Sequence, residues 1–402
     1  MTNPGLLLTR PYPFARLKKL FAGIEPAGGR LRHISLGIGE PQHPLPECIR
    51  RAVLENVESM SHYPATGGST ALREAIAAWC ERRYGAPVDP ASEVLPVLGS
   101  REALFSLTQS VIDPSGPVKP AALIPCPFYQ IYEGASLLAG AEPVYMPLKK
   151  ENNFQPDFSS VSDEVLARTQ IVFVCSPGNP TGATMKLADW KALFELSDRW
   201  GFVIVSDECY SEIYFEEGKA PLGALTAARM LGRDGFRNLV VMQSLSKRSN
   251  APGMRSGFVA GDAALLKPFL LYRTYHGSAM NPMVQAASIA AWNEEAHVVE
   301  NRRLYREKFA AAQPLVNSVL EAPMPEASFY LWTKVPGDDA VFARELYRDQ
   351  AVTVLPGSYL SRDLPGGNPG AGYVRIAFVA EPQLAQEAAQ RIVEFVKSGK
   401  FI

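Results

Sequence analysis

The chain has 402 residues, 47% hydrophobic and 20% charged, a globular composition long enough for two or three domains or one large composite domain. Its 40 basic and 41 acidic residues leave a formal charge of −1, which excludes the strong positive field of a nucleic-acid or acidic-membrane binder. Between Met1 and Phe14 the one apolar run is Leu6-Leu7-Leu8, too short for a signal-peptide core, and no stretch approaches the roughly 18 apolar residues of a membrane helix. A cytoplasmic protein with neither nucleic-acid nor membrane partners is expected. The five cysteines (Cys48, Cys80, Cys126, Cys175 and Cys209) are odd in number, widely spaced and free of CxxC patterns. Reduced thiols are expected, with no disulfide framework and no metal.

Along the chain, plausible helices at Thr70–Tyr84, Arg101–Val111 and Ala188–Trp200 alternate with short apolar runs rich in β-branched residues. Thr70 and Ser100 are placed as helix N-caps. The apolar runs are Ala121–Pro125, Pro143–Met146, Ile171–Cys175, Phe202–Ser206, Leu239–Met242 and Gly257–Ala260. Short buried strands separated by helix-length segments predict an α/β fold, with a mainly parallel or mixed sheet covered on both faces. From about Asn281 the texture changes to long amphipathic stretches, Pro282–Phe309 and Asp338–Gln350, with brief strands at Tyr330–Thr333 and Tyr373–Phe378. The expected organisation is an N-terminal arm and part of a small domain over 1–45, a large domain over 46–285 and a C-terminal small α+β domain over 286–402.

In open α/β sheets ligands sit beyond the carboxyl ends of the strands. Four strand ends carry polar groups there: Asn179 after Ile171–Cys175, Asp207 and Tyr210 after Phe202–Ser206, Ser244 and Lys247 after Leu239–Gln243, and Ser100-Arg101 opening a helix after Leu95–Leu98. Taken singly, Asn179 reads as a turn residue, Asp207 as a cap, Lys247 as a solvated lysine and Ser100 as a helix cap. Together, an acid, an amide, a phenol and a lysine at one end of one sheet suit pyridoxal 5'-phosphate. That cofactor needs an amine for its aldehyde, an anion opposite its ring nitrogen and donors for its phenolic oxygen. Its phosphate needs helix N-terminal amides, hydroxyls and a guanidinium.

The segments Gly37-Ile-Gly39-Glu-Pro41, Tyr63-Pro-Ala-Thr-Gly67, Asn179-Pro-Thr-Gly182, Asp207-Glu-Cys-Tyr210, Ser244-Leu-Ser-Lys247, Pro252-Gly-Met-Arg255-Ser-Gly257 and Tyr373-Val-Arg375 resemble the class I/II, fold-type I pyridoxal-phosphate-dependent aminotransferases, in that family's order. The resemblance implies that Lys247 forms the Schiff base with the cofactor and shuttles the proton, and that Asp207 faces the pyridine nitrogen. It further implies that Asn179 and Tyr210 contact the phenolic oxygen, and that Ser100, Arg101, Ser244 and Arg255 hold the phosphate. Tyr129 would stack on the ring. Tyr63 would reach the phosphate of a neighbouring subunit, so that a homodimer shares its sites. Arg375 would grip the substrate α-carboxylate, with Gly39 and Asn179 also at the substrate. The implied reaction is amino transfer between an amino acid and a 2-oxo acid, with glutamate a frequent donor.

Two blocks, Ser246-Lys-Arg248-Ser-Asn250 through Phe258 and Arg273-Thr-Tyr-His276 through Pro282, are similar to bacterial succinyldiaminopimelate aminotransferases of lysine biosynthesis. Aspartate-specific members carry an arginine before the Asn-Pro segment, where this chain reads Tyr275-His276-Gly277-Ser278. A longer acylated substrate is therefore expected, with Arg16, Arg248, Arg273 and His276 as candidates for its distant carboxylate. The alternatives are an aspartate, aromatic or LL-diaminopimelate aminotransferase, or a carbon–sulfur lyase on the same cofactor.

Overall fold

Seven strands, six of them apolar and buried almost throughout and the edge strand Glu142–Pro147 partly exposed, form one sheet in the computed structural model, which describes residues 4–401. Met1–Asn3 and Ile402, where the expected arm begins and the expected small domain ends, lie outside the described residues. The strands are β1 (Val94–Val97), β2 (Ala121–Cys126), β3 (Glu142–Pro147), β4 (Thr169–Cys175), β5 (Val203–Asp207), β6 (Leu239–Ser244) and β7 (Gly257–Gly261). Their order is β1-β7-β6-β5-β4-β2-β3. Only β7 runs against its neighbours β1 and β6, and the remaining pairs are parallel.

Alternate residues serve opposite faces, as the two-residue period of a strand demands. Leu123, Val172, Val174, Ile204, Val241 and Phe258 join one core, while Ala122, Ile124, Ile171, Phe173, Val205 and Met242 join another. The first core is anchored by Trp79, Phe258 and Trp292, whose ring centroids lie 5.0–5.8 Å apart. Each such pair adds about 0.5–1.5 kcal/mol beyond its buried area.

A second, smaller layer holds three antiparallel strands, β8 (Tyr330–Lys334), β9 (Leu355–Pro356) and β10 (Tyr373–Ala377), with β10 central. The helices Ala296–Asn317, Asp339–Gln350 and Pro382–Ser398 pack around it. The N-terminal segment joins this layer: Ile34–Ser35 pairs in parallel with Val352–Thr353, and Ile34 and Leu36 enter its core. Tyr210 enters that core too, so the two layers meet beside the end of β5.

Three local expectations need correcting. The helix at Thr70–Tyr84 is capped by Ser69, whose hydroxyl accepts from the Leu72 amide. Ser100 is the first residue of its helix, and Gly99, at φ +83°, is the cap. The stretch Pro282–Phe309 is two helices, Pro282–Asn293 and Ala296–Asn317, broken at Glu294-Glu295. The boundary expected at 285/286 falls inside the first of these. Ala287, Ala291 and Trp292 pack in the core with Trp79, so the large layer runs on to Asn293.

Candidate active site

Strand register fixes the first polar group. Asp207, the last residue of the central β5, lies opposite Cys175 and Met242, which brings the loop bearing Asn179 and the end of β6 bearing Ser244 alongside it. A cavity of about 690 Å³ opens at this edge, and Gly39, Ser100, Arg101, Tyr129, Asn179, Asp207, Tyr210, Ser244, Lys247, Arg255, His276 and Arg375 all face it. Eleven of the twelve residues carried by the family resemblance are thus brought together, with His276 besides. Tyr63 is fully exposed and outside the cavity.

The Asp207 carboxylate is buried and accepts from the Tyr132 hydroxyl at 2.8 Å and the Cys209 amide at 3.3 Å. Burial pushes its pKa up despite these bonds. Lys247 Nζ donates to the Gly39 carbonyl at 2.6 Å. Burial above all, with Arg375 and Arg101 adding to it and Cys209 and Glu40 opposing, lowers this amine to about 8. A neutral, nucleophilic amine is therefore accessible at mildly alkaline pH. Gly39 is required by space: a Cβ there would stand 2.0 Å from the Tyr330 hydroxyl.

Arg375 sits in β10 opposite Trp332 and Leu355 and is buried. Its guanidinium donates to Asn179 Oδ1 at 2.8 Å and to the Gly37 carbonyl at 2.9 Å, over the Tyr330 ring. Its Nε, although buried, lacks a partner. The Tyr210 and Tyr330 hydroxyls pair at 3.0 Å. On the β6 side, Ser244 Oγ receives the Ser246 amide at 3.1 Å. Arg255, in left-handed backbone at φ +51°, donates to the Pro252 and Leu98 carbonyls. Its guanidinium occupies the space that a Cβ on Gly99 would need. The Ser100–Val111 helix starts at this point, so its N-terminal amides, the hydroxyls of Ser100 and Ser244 and the Arg255 guanidinium make a donor set suited to a phosphate. Arg101 Nε bonds the Tyr129 hydroxyl, and its Nη2 lies 3.4 Å from the Tyr12 hydroxyl.

Three of the residues expected to bind a distant carboxylate are engaged elsewhere. Arg273 donates to both Glu102 oxygens at 2.7 Å and to the Ser278 carbonyl at 2.9 Å. Arg248 pairs with Glu295 and the Ala291 carbonyl against the Trp79 and Trp292 rings. Both are fully buried and neither lines the cavity, so neither reaches a ligand there. Arg16 stacks on Tyr359 at 3.8 Å and does not line the cavity. Of the four, only His276 faces it.

Sequence reasoning missed Tyr132, Tyr330, Ser246, Cys209, Tyr12 and Glu40. Ser246 and Cys209 lie inside motifs that had been singled out. Tyr132 falls one helical turn after Tyr129, a usable signal. Tyr330 comes from the smaller layer, and no spacing in the chain ties it to Tyr210.

The aminotransferase class I and II family pattern matches residues 32–392. The LL-diaminopimelate aminotransferase of Dehalococcoides mccartyi is 33% identical over 392 residues, covering 96% of each chain. Among solved structures, an aminotransferase from Neisseria meningitidis superposes with a TM-score of 0.94 at 54% identity, over 98% of this chain and 100% of the other. The Helicobacter pylori aminotransferase AspB reaches 0.88 at 36%, over 97% and 99%. The donor set passes an independent fit test for the cofactor of such enzymes. A buried carboxylate destabilised by burial calls for a cationic N–H partner, and a lysine, a phenol, an amide and a phosphate-type cradle lie around the same cavity. The match along nearly the whole chain, the shared fold and this cavity converge on one conclusion: the chain belongs to the class I and II aminotransferases and works with pyridoxal phosphate.

Proposed function

We propose that this aminotransferase moves the amino group between glutamate/2-oxoglutarate and N-succinyl-LL-2,6-diaminopimelate/N-succinyl-2-amino-6-oxopimelate, a step of lysine biosynthesis. The observation that carries the long substrate is the cavity itself. At about 690 Å³ it lies in the upper part of the roughly 300–1,000 Å³ range of small-molecule sites, with room for an extended acylated chain beside the cofactor. The diaminopimelate skeleton is supported by relatives named LL-diaminopimelate aminotransferases at 31–33% identity.

Pyridoxal phosphate supplies an aldehyde that condenses with amines and a ring that accepts the electron pair released at the substrate Cα. Around it, Asp207 would hold a proton on the ring nitrogen, while Asn179 and Tyr210 would donate to the phenolic oxygen. Ser100, Ser244, Arg255 and the Arg101 amide take the phosphate. Tyr129 covers the ring. Lys247 Nζ would take the proton from the substrate Cα and return it, as general base and then acid. Arg375 holds the α-carboxylate by two parallel bonds, which keeps the Cα–H bond aimed at Lys247, and Gly39 lets the backbone approach. The His276 ring and the Arg101 guanidinium are the nitrogen donors facing the cavity that remain for the distant carboxylate. Tyr63, with its hydroxyl in solvent, serves the phosphate of a second copy, making the active form a homodimer. The five free cysteines suit a reducing cytoplasm.

The names of the relatives favour one second reading, LL-diaminopimelate itself. Parallel assays with 2-oxoglutarate as acceptor separate the two. Faster turnover of N-succinyl-LL-diaminopimelate than of the unacylated diamine is expected, the reverse order establishes the second reading, and activity with aspartate alone overturns both.

A further inference from the structure

We propose that Cys48, Glu294 and His297 form a zinc site at the junction of the two layers, outside the cavity described above. Cys48 is the second residue of the Glu47–Glu55 helix. Glu294 and His297 flank the break between the Pro282–Asn293 and Ala296–Asn317 helices. Cys48 Sγ lies 3.7 Å from Glu294 Oε2 and 3.9 Å from His297 Nδ1, and that nitrogen is hydrogen-bonded to the same carboxylate oxygen. Around a tetrahedral zinc, with metal–sulfur about 2.3 Å and metal–nitrogen or metal–oxygen about 2.0–2.2 Å, sulfur sits roughly 3.6 Å from the lighter ligands. Two edges of the ligand triangle are therefore within a few tenths of an ångström of this spacing, and the third opens as the ion enters between His297 and Glu294.

The donor types select the metal. One sulfur, one imidazole nitrogen and one carboxylate oxygen suit zinc, whereas calcium and magnesium take oxygen ligands. Three protein ligands leave the fourth position to water. The ligands are already oriented: His297 Nε2 lies 2.8 Å from Ser249 Oγ, the kind of outer contact that fixes a metal-bound ring. The Glu294 carboxylate accepts from the amides of Ala296 at 2.8 Å and His297 at 3.2 Å.

Charge and protons balance. The thiolate and the carboxylate neutralise the two charges of the ion. Arg248, 3.5 Å from His297 Nε2, is itself paired with Glu295. On binding, the Cys48 proton leaves to solvent and the imidazole proton moves from Nδ1 to Nε2, where Ser249 Oγ accepts it. With Cys48 half-buried and the Glu294 side chain 37% exposed, an ion has a way in. Bound there, it ties a helix of the large layer to the start of the long helix of the small one.

The test uses holoenzyme freed of metals by a chelator and then titrated with Zn²⁺, or with Co²⁺ as a spectroscopic probe. One zinc per chain is expected in competition with a chromophoric chelator. Cobalt should show a thiolate-to-metal charge-transfer band, and zinc should raise Tm through binding to the folded state. Cys48→Ser and His297→Gln should each weaken zinc by at least about tenfold and abolish that band or alter it, while amino transfer without zinc stays unchanged. Zinc bound equally well by both variants, a cobalt spectrum without thiolate character, or no stoichiometric binding each overturn the proposal. If His297→Gln does not fold, Cys48→Ser, which exchanges a single atom, decides alone.

Discussion

The carboxyl edge of the large sheet and the layer directly behind it use the same residue types to opposite ends. At the edge, Lys247 and Asp207 face the cavity, with Arg375 of the smaller layer lining it from across. Behind it, Arg248 and Arg273 are sealed among Glu295, Glu102, backbone carbonyls and indole rings. Lys247 and Arg248 are consecutive residues of one short helix, yet one opens onto the cavity and the other is sealed in the core. A cation serves a ligand where the fold turns it onto the cavity, and serves the fold where it is sealed among core partners.

Replacing Lys247 by alanine should have the largest effect, reducing turnover to background while Tm of the holoenzyme changes little. A spectrum of the purified variant without the lysine-linked cofactor band, combined with lost amino transfer, checks this. Behind the edge, the order of damage reverses. Arg273→Ala removes the guanidinium from a largely buried Glu102 that keeps its bonds from the Leu98 amide and the Ser106 hydroxyl, and should cost about 3 kcal/mol of stability, read from urea midpoints. In whatever remains folded, the ratio of kcat/KM for the acylated substrate over glutamate should equal that of the parent enzyme. A fall in that ratio would make Arg273 a ligand for the substrate after all.

Arg375→Lys should lower kcat/KM in both half-reactions by roughly one to two decades, or about 1.5–3 kcal/mol, since every substrate presents an α-carboxylate and lysine lacks the planar two-point contact. The smallest effect concerns pH. Burial lowers the Lys308 amine from 10.5 to about 7, and its Nζ donates to the Val379 carbonyl at 2.8 Å. Between those values the unfolded chain binds more protons than the folded one, so this residue makes stability rise with pH across the window. Lys308→Met should flatten the rise in urea midpoint from pH 7 to 9, leaving kcat unaltered.

Much of this architecture was legible because it follows local rules. Strands buried in the sheet read as continuous apolar runs, and all seven in the large sheet, Val94–Val97 included, fall within two residues of where those runs lie. The helix at Thr70–Tyr84 was found to the residue. The break at Glu294-Glu295 was not legible, since an amphipathic pattern passes across it and only packing against the core around Trp79 separates its halves. The cavity's inner residues were found because strand ends in a parallel sheet converge by construction.

By itself, then, the sequence determined the α/β sheet, the residues at its carboxyl edge and the family, because periodicity and strand-end motifs are local properties carried along the chain. Tertiary structure alone decided which arginines are free. Glu102 and Arg273, or Glu295 and Arg248, are far apart in sequence and meet only when helices dock. It likewise placed Tyr132 on Asp207 and Tyr330 beside Tyr210. Hydrogen-bond saturation depends on which distant groups arrive at a side chain, and no spacing within the chain encodes that.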